Sequence, residues 1–316
     1  MERFRSGKVT IIGAGLVGAT SAYAMMIAGI ASEIVLVDTD ETKLRGQVMD
    51  LDHGINFVPP VRVRAGSYED CADSRVVVIS AGASQRPHES RLDLLKRNID
   101  VFEQIVPRVV EQNPDIILLI VTNPVDVLTY ASLKLSGLPP ERVIGSGTLL
   151  DSARFRYLIA HHCGVATPNV HTYIIGEHGD SELPTWSITY IAGMPLDRFC
   201  VGCGRDCSAE ERHSLFEQAR GAAYRIIEDK GATYYAVGLS VRRLIEAVLR
   251  DENSILPVST LMRGELGVEG VCLSLPSVID LKGVTRVLEL PLDESEVEAF
   301  RRSAAIIAEA QSEAGL

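Results

Sequence analysis

Hydrophobic residues fall along this chain in two rhythms. Short, wholly apolar runs rich in β-branched residues occur at Val9–Ile12, Ile34–Val37, Val76–Ile79 and Ile116–Val121, with weaker ones at Val61–Arg64 and around Val143–Gly145. Runs of that length without polar alternation are expected of strands covered on both faces. Between them lie longer stretches with helical character, at about Leu16–Ala28, Glu41–Gly54, Leu92–Gln112 and from Val125 to about Ser136. Strand and helix alternating in this way predict a parallel sheet with right-handed crossovers. From Thr148 the rhythm changes. A helix opens at Asp151, and a strand is expected over Val170–Ile175. A long helix of mixed charge is expected over Ala209–Asp229, interrupted by Lys230-Gly231-Ala232-Thr233 and followed by a second helix over Tyr234–Leu249. Leu256–Leu261 and Val271–Leu275 read as antiparallel strands. Leu292–Gln311 reads as a closing helix whose acidic first turn, Asp293, Glu294 and Glu296, complements its dipole.

The first strand leads into Gly13-Ala14-Gly15-Leu16-Val17-Gly18, then a helix of small residues, then a second strand ending in Asp38. Each part has a mechanical role. Gly13 permits a tight turn, Gly15 lets the backbone approach a pyrophosphate, and Gly18 lets helix lie close on strand. The amides at the start of the helix, at Leu16 and Val17, offer unpaired N–H groups and a partial positive charge to phosphate. Asp38 is suited to accept hydrogen bonds from a ribose diol, and its charge would repel a 2′-phosphate, so NAD is expected over NADP. The small residues Ala81 and Gly82, and Asn123 before Pro124, also fall at carboxyl ends of strands, where such sheets bind ligands. The expected class is therefore α/β, a Rossmann doubly wound parallel sheet followed by an α+β substrate or catalytic domain. The boundary is drawn between residues 1–145 and 146–316.

Composition narrows the function. The chain has 316 residues, 46% of them hydrophobic, enough for two domains around one cleft. A net charge of −11 argues against nucleic acid or an anionic membrane as partner. The uncharged stretch from Val9 to Ser32 imitates a membrane span, but its glycine, Thr and Ser content fits a phosphate loop better. Six scattered cysteines predict reduced thiols in a cytoplasmic protein. Cys200, Cys203 and Cys207 lack a fourth ligand of clear spacing, and with Gly202, Gly204 and Ser208 they read as a surface loop. No metal is expected.

The candidate chemistry lies in four places. Residues Ser84 to Arg91 are polar, broken by Pro87, and stand between a cofactor-side strand and a helix; they read as a lid that carries Arg91 over a substrate. Asn123 is placed to touch cofactor or substrate. Asp151 and Arg154, three residues apart, share one face of a helix. His178 stands uncrowded between Gly176 and Gly179, in Gly176-Glu177-His178-Gly179-Asp180-Ser181. A nicotinamide cofactor moves a hydride, and the protein must handle the accompanying proton. A histidine held by a carboxylate is suited to that task near neutral pH. A guanidinium suits a substrate carboxylate, and a second cation suits a carbonyl gaining negative charge. His178, Asp151, Arg154 and Arg91 thus predict interconversion of a 2-hydroxy and a 2-oxo acid.

These motifs, with Gln85-Arg86-Pro87, Ser90-Arg91-Leu92-Asp93-Leu94, Thr122-Asn123-Pro124-Val125-Asp126 and Leu150-Asp151-Ser152-Ala153-Arg154, resemble the L-lactate dehydrogenase branch of the lactate/malate dehydrogenase family over nearly the whole length. The resemblance implies His178 as proton donor and acceptor, Asp151 as its partner, Arg154 as carboxylate clamp and Arg91 as the mobile polarising arginine. It places Asn123 near the carbonyl oxygen, with a cis bond to Pro124. Thr233 would lie in the pocket for the substrate side chain, and Val237 behind the nicotinamide. Malate-specific relatives carry arginine at the position of Gln85. A glutamine leaves the second carboxylate of oxaloacetate without a charged partner, so pyruvate and L-lactate are the expected substrates. Arg156 and His171 match residues that bind fructose 1,6-bisphosphate between subunits of allosteric bacterial members, which implies such an effector and a homotetramer. The alternatives are malate or a bulkier 2-hydroxy acid as substrate, a non-catalytic NAD-binding structural protein, and a metal-dependent NAD glycosidase of related fold. His53, His88, His161, His162 and His213 receive no role.

Overall fold

The computed structural model describes residues 7–83, 91–205 and 207–316. In the first half the elements are β1 (Lys8–Ile12), α1 (Leu16–Ala28), β2 (Glu33–Val37), α2 (Glu41–His53), β3 (Arg62–Ala65), β4 (Ser74–Ile79), α3 (Arg91–Gln112), β5 (Ile117–Ile120), α4 (Val125–Ser136) and β6 (Val143–Gly145). The second half adds α5 (Leu149–Cys163), β7 (Val170–His171), β8 (Ile174–Ile175), β9 (Leu183–Pro184), β10 (Tyr190–Ile191), β11 (Met194–Pro195) and α6 (Leu196–Cys203). It continues with α7 (Ala209–Arg220), α8 (Ala222–Lys230), α9 (Tyr235–Leu249), β12 (Ser254–Arg263), β13 (Glu269–Asp280), β14 (Gly283–Val287) and α10 (Glu294–Glu313).

One nine-stranded sheet runs β14-β13-β12-β6-β5-β4-β1-β2-β3. From β6 to β3 every pairing is parallel, as the alternation of strand and helix predicts. Successive side chains of a strand point to opposite faces, and the core divides accordingly. Val9, Ile11, Ile34, Leu36, Val76 and Val78 pack with α1, α2 and α9. Ile12, Val35, Val37, Val77 and Ile79 pack with α3, α4 and α10. Burial on both faces is why these runs carry no polar alternation.

The sheet does not stop where the first half does. β12 joins β6 antiparallel through Ser259 and Gly145, and β13 and β14 extend it. The long β12–β13 pair therefore belongs to the cofactor-side sheet. A third core, around Phe155, Ile159, Val170, Ile174, Ile191, Leu196, Leu215 and Phe216, gathers α5, α6 and α7. Phe155 meets Trp186 edge to face at 4.7 Å.

Several expectations are corrected. The long helix over 209–229 is two, broken at Gly221, where a Cβ would sit 3.1 Å from the Glu217 carbonyl oxygen. The strand over 170–175 is two two-residue strands on different sheets, with Thr172 between them turned inward to share a hydrogen bond with Thr189. Residues 196–203 form a helix instead of a surface loop, its apolar side packed into the third core. Cys200 and Cys207 are not free thiols. They form a disulfide that ties the end of α6 to the start of α7, because that chain reversal brings their Cα atoms within 6.3 Å. Cys71, Cys163 and Cys272 are buried and form no disulfide. No helix among the described residues is long and apolar enough to cross a membrane.

Candidate active site

The cofactor side is built by close backbone approach. The Gly13 amide donates to the Val37 carbonyl (2.8 Å) and the Ala81 amide to the Ile12 carbonyl (2.9 Å), so the turn lies against the end of β4. Gly13 has φ +106°, and a Cβ there would come within 2.5 Å of the Ala81 nitrogen. At Gly18 a Cβ would sit 1.9 Å from the Gly13 carbonyl oxygen, whereas at Gly15 nothing lies within 4 Å. That open face is what an approaching phosphate requires. Leu16 and Val17 begin α1.

A cleft of about 460 Å³ opens there, lined by Gly13, Gly15, Asp38, Lys43, Ala81 and Gly82 among others. It lies between β1 and β4, where the strand order reverses, the expected place for a dinucleotide. Asp38 accepts hydrogen bonds from the Ala14 amide (2.7 Å) and the Asp40 amide (3.0 Å) and pairs with Lys43 at 2.9 Å. Burial opposes its charge, but these donors and Lys43 hold its carboxyl below its ordinary value. It stays an acceptor at the rim, as a ribose diol needs. The residues present thus fit NAD.

A cluster of charged side chains comes from three separated segments. The first turn of α5 carries Asp151 and Arg154, and Arg154 Nη1 donates to Asp151 Oδ1 at 2.9 Å. His178 Nδ1 lies 2.5 Å from Asp151 Oδ2, so one buried carboxylate holds both cations. The loop carrying His178 is anchored on every side. Gly176 exchanges hydrogen bonds with Ser274 of β13, both 3.0 Å. The Ser152 hydroxyl of α5 accepts from the Ile174 amide at 2.8 Å. The His178 amide donates to Asp126 Oδ2 of α4 at 2.7 Å. The His178 ring remains a quarter exposed, leaving its far edge open to a ligand.

Charge follows geometry. Burial works against a protonated His178, but the charge and hydrogen bond of Asp151 outweigh it and push the imidazole up to about 9. Burial likewise opposes the Asp151 charge, yet His178 and Arg154 hold the carboxyl below its usual range. Near neutral pH the ring therefore carries a proton it can donate.

Other predicted residues fall into place less directly. The Asn123–Pro124 bond is cis, and the Asn123 carbonyl accepts from Asn98 Nδ2 at 3.0 Å, with the Asn123 side chain exposed at the end of β5. Thr233 lies just before α9, and Val237 sits in its first turn, partly buried against the core that also holds α1. α9 lies very close to α1, since a Cβ at Gly238 would meet Thr20 at 2.7 Å. Gln85, the remainder of the lid and the side chain of Arg91 lie outside the described residues. The Arg156 Nε donates to the Thr172 carbonyl at 2.8 Å, next to exposed His171.

Sequence reasoning missed three residues. Asn98 also accepts from the Ala83 amide at 2.7 Å, so its side chain joins the ends of β4 and β5. Asp126 is fully buried, and burial pushes its carboxyl up to about 6 against the hydrogen bond from His178. Glu182 is 6% exposed, with a carboxylate oxygen within 4.8 Å of one of Asp151 and of a His178 ring nitrogen. The signal for Asp126 is an acid amid Val125, Val127 and Leu128 on a buried helix. For Glu182 no local pattern marks it out.

Comparison with known proteins agrees with this architecture. The model of the lactate/malate dehydrogenase NAD-binding domain matches residues 7–145, and that of the family's α/β C-terminal domain matches residues 148–314. The chain belongs to the lactate/malate dehydrogenase family. It is an NAD-dependent oxidoreductase. A Thermoanaerobacter L-lactate dehydrogenase is 55% identical over 300 residues, covering 95% of this chain and 96% of its own. An L-lactate dehydrogenase of Acetivibrio thermocellus is 52% identical over 296 residues, covering 94% of this chain and 93% of its own. Among solved structures, a lactate dehydrogenase from a deep-sea metagenome superposes with a TM-score of 0.95 at 41% identity, covering 99% of this chain and all of that one.

Proposed function

We propose that this chain is an L-lactate dehydrogenase that interconverts pyruvate and L-lactate with NAD as cofactor. The observation that carries the reading is one buried carboxylate, Asp151, holding an imidazole at 2.5 Å and a guanidinium at 2.9 Å. Bound in the glycine-lined cleft, NADH supplies the hydride. His178 gives its proton to the substrate oxygen in the reductive direction and takes one in the other, with Asp151 steadying the charged ring. Arg154 keeps Nη1 on Asp151 and offers the rest of its fork to the substrate carboxylate. Asn123, Thr233, Gln85 and the arriving Arg91 complete the pocket, with Val237 behind the nicotinamide. Residues 1–145 carry the cofactor and 146–316 the substrate machinery.

Gln85 favours pyruvate over oxaloacetate, since it offers no charge to a second carboxylate. Steady-state rates with NADH and each 2-oxo acid test the assignment. Pyruvate is expected to win by kcat/KM, and a preference for oxaloacetate would overturn it. Gln85→Arg is expected to move preference toward oxaloacetate.

We further infer a homotetramer with fructose 1,6-bisphosphate as effector, acting in the cytoplasm. Exposed apolar side chains on the packed helices α1 and α9, Tyr23, Ile27 and Leu239, and Phe57 at 89% exposure, support burial against other copies. Arg156 and His171 stand on neighbouring segments and suit phosphate. The test is pyruvate saturation in dilute protein with and without the sugar phosphate. A lowered KM is expected; an unchanged curve removes the effector.

A further inference from the structure

Glu182 is a buried acid with no established work. It lies just before β9, is 6% exposed, and among the described residues its Oε1 has no hydrogen-bond partner. One of its carboxylate oxygens, one of Asp151 and a ring nitrogen of His178 lie within 4.8 Å of one another. Two carboxylates that close together, both out of water, do not readily share negative charge. Asp151 is the one stabilised as an anion, by direct hydrogen bonds from His178 and Arg154. Glu182 has neither.

We propose that Glu182 stands in the substrate site as a neutral carboxylic acid, and that its ionisation closes the site to anionic substrates. This rests on the assignment of a 2-oxo acid as substrate. The charges facing it are Asp151 and Arg154 on α5, His178 on the preceding loop and Arg220 at the end of α7, with Asp126 of α4 behind His178. Arg220 is already paired with Glu217 at 2.7 Å. With Glu182 neutral, a protonated His178, Arg154 and ionised Asp151 leave one net positive charge for an incoming carboxylate. With Glu182 ionised that net charge vanishes, and a bare anion lies beside the ligand. Burial first, then the Asp151 charge, push the Glu182 carboxyl up to about 9, so the neutral form prevails at physiological pH.

His178 also titrates near pH 9, but the two groups part company in lactate oxidation. That direction needs a neutral ring, so loss of the His178 proton raises the rate with pH, whereas ionisation of Glu182 lowers it. For the native enzyme, kcat/KM for lactate is expected to rise, then fall about tenfold per pH unit beyond pH 9. In Glu182→Gln the fall is expected to disappear up to pH 10. The same fall in both proteins would overturn the proposal. A second measurement needs no variant. Calorimetry of oxamate, the unreactive amide analogue of pyruvate, binding to the native enzyme with NADH at pH 9.5 in buffers of different ionisation enthalpy counts protons taken up. More than one is expected, from His178 and Glu182 together; one or fewer would overturn it. An enzyme that does not turn over pyruvate or lactate at all refutes the substrate assignment, a different outcome from a lactate profile without the alkaline fall.

Discussion

At the glycine turn of the cofactor cleft a ligand would meet backbone. In the charged cluster around His178 it would meet side chains. That turn is made by Gly13, Gly15 and Gly18 within one strand, turn and helix, and its demands are steric, while Asp38 and Lys43 line the cleft beside it. The second site draws Asp126 from α4, Asp151 and Arg154 from α5, and His178 and Glu182 from a loop docked on β13. Its demands are electrostatic, because several charges share a dry space and each decides the protonation of the others. A backbone site tolerates much change in charge but little in volume. A charge cluster does the reverse.

Substitutions that alter one property at a time separate the two. The largest effect is expected from His178→Ala, which removes the proposed proton donor and is expected to lower kcat for pyruvate reduction between about 100- and 10,000-fold, with NADH affinity retained by fluorescence titration. Arg154→Gln keeps much of the volume but loses a charge-assisted contact of about 1.5–3 kcal/mol, so KM for pyruvate is expected to rise roughly ten- to hundredfold. A larger effect on NADH binding than on pyruvate would break the division between the regions.

Asp151→Asn tests the electrostatic account by pH. Pyruvate reduction needs His178 protonated, so activity should persist up to the folded value of about 9 and fall above it. Without the Asp151 charge the strongest influence raising the ring is lost, leaving Asp126 and Glu182 against burial, so its value falls. The alkaline fall should then move down by about two pH units, costing at least tenfold in kcat/KM at pH 8. An unmoved profile would mean that another group sets it. The smallest effects belong to the glycines. Gly15→Ala meets nothing within 4 Å and should fold normally while weakening NADH about tenfold, since the methyl occupies the phosphate's approach. Gly18→Ala puts a Cβ 1.9 Å from the Gly13 carbonyl and should lower thermal stability by several degrees as well as affinity. Equal melting temperatures for the two variants would contradict the steric reading.

The corrections follow the same division. The parallel strands were legible because burial on both faces leaves a run of apolar residues in the chain itself. The antiparallel extension was half legible: two strands were expected, but their length and their union with β6 were not. β12 meets β6 through Ser259 and Gly145, which carry no apolar pattern. The helix over 196–203 was hidden by its glycines and cysteines, which suggest a loop until Leu196 is seen packed in the third core. The Cys200–Cys207 bond depends on the turn between α6 and α7, which spacing does not show.

What the residues determined alone is local: the glycine turn, the acid at the tip of β2, the turn at Asn123-Pro124 and the chemical identity of His178, Asp151 and Arg154. These are properties of short segments, where backbone sterics and side-chain type suffice. What only the tertiary structure decided is which groups share a dielectric environment. Asp126 is marked in the chain only by its apolar neighbours and Glu182 by nothing, and their carboxyls are pushed up only when α4, α5 and the His178 loop close around them. Interaction energy between charges depends on separation in space and on excluded water, neither of which is carried by sequence separation.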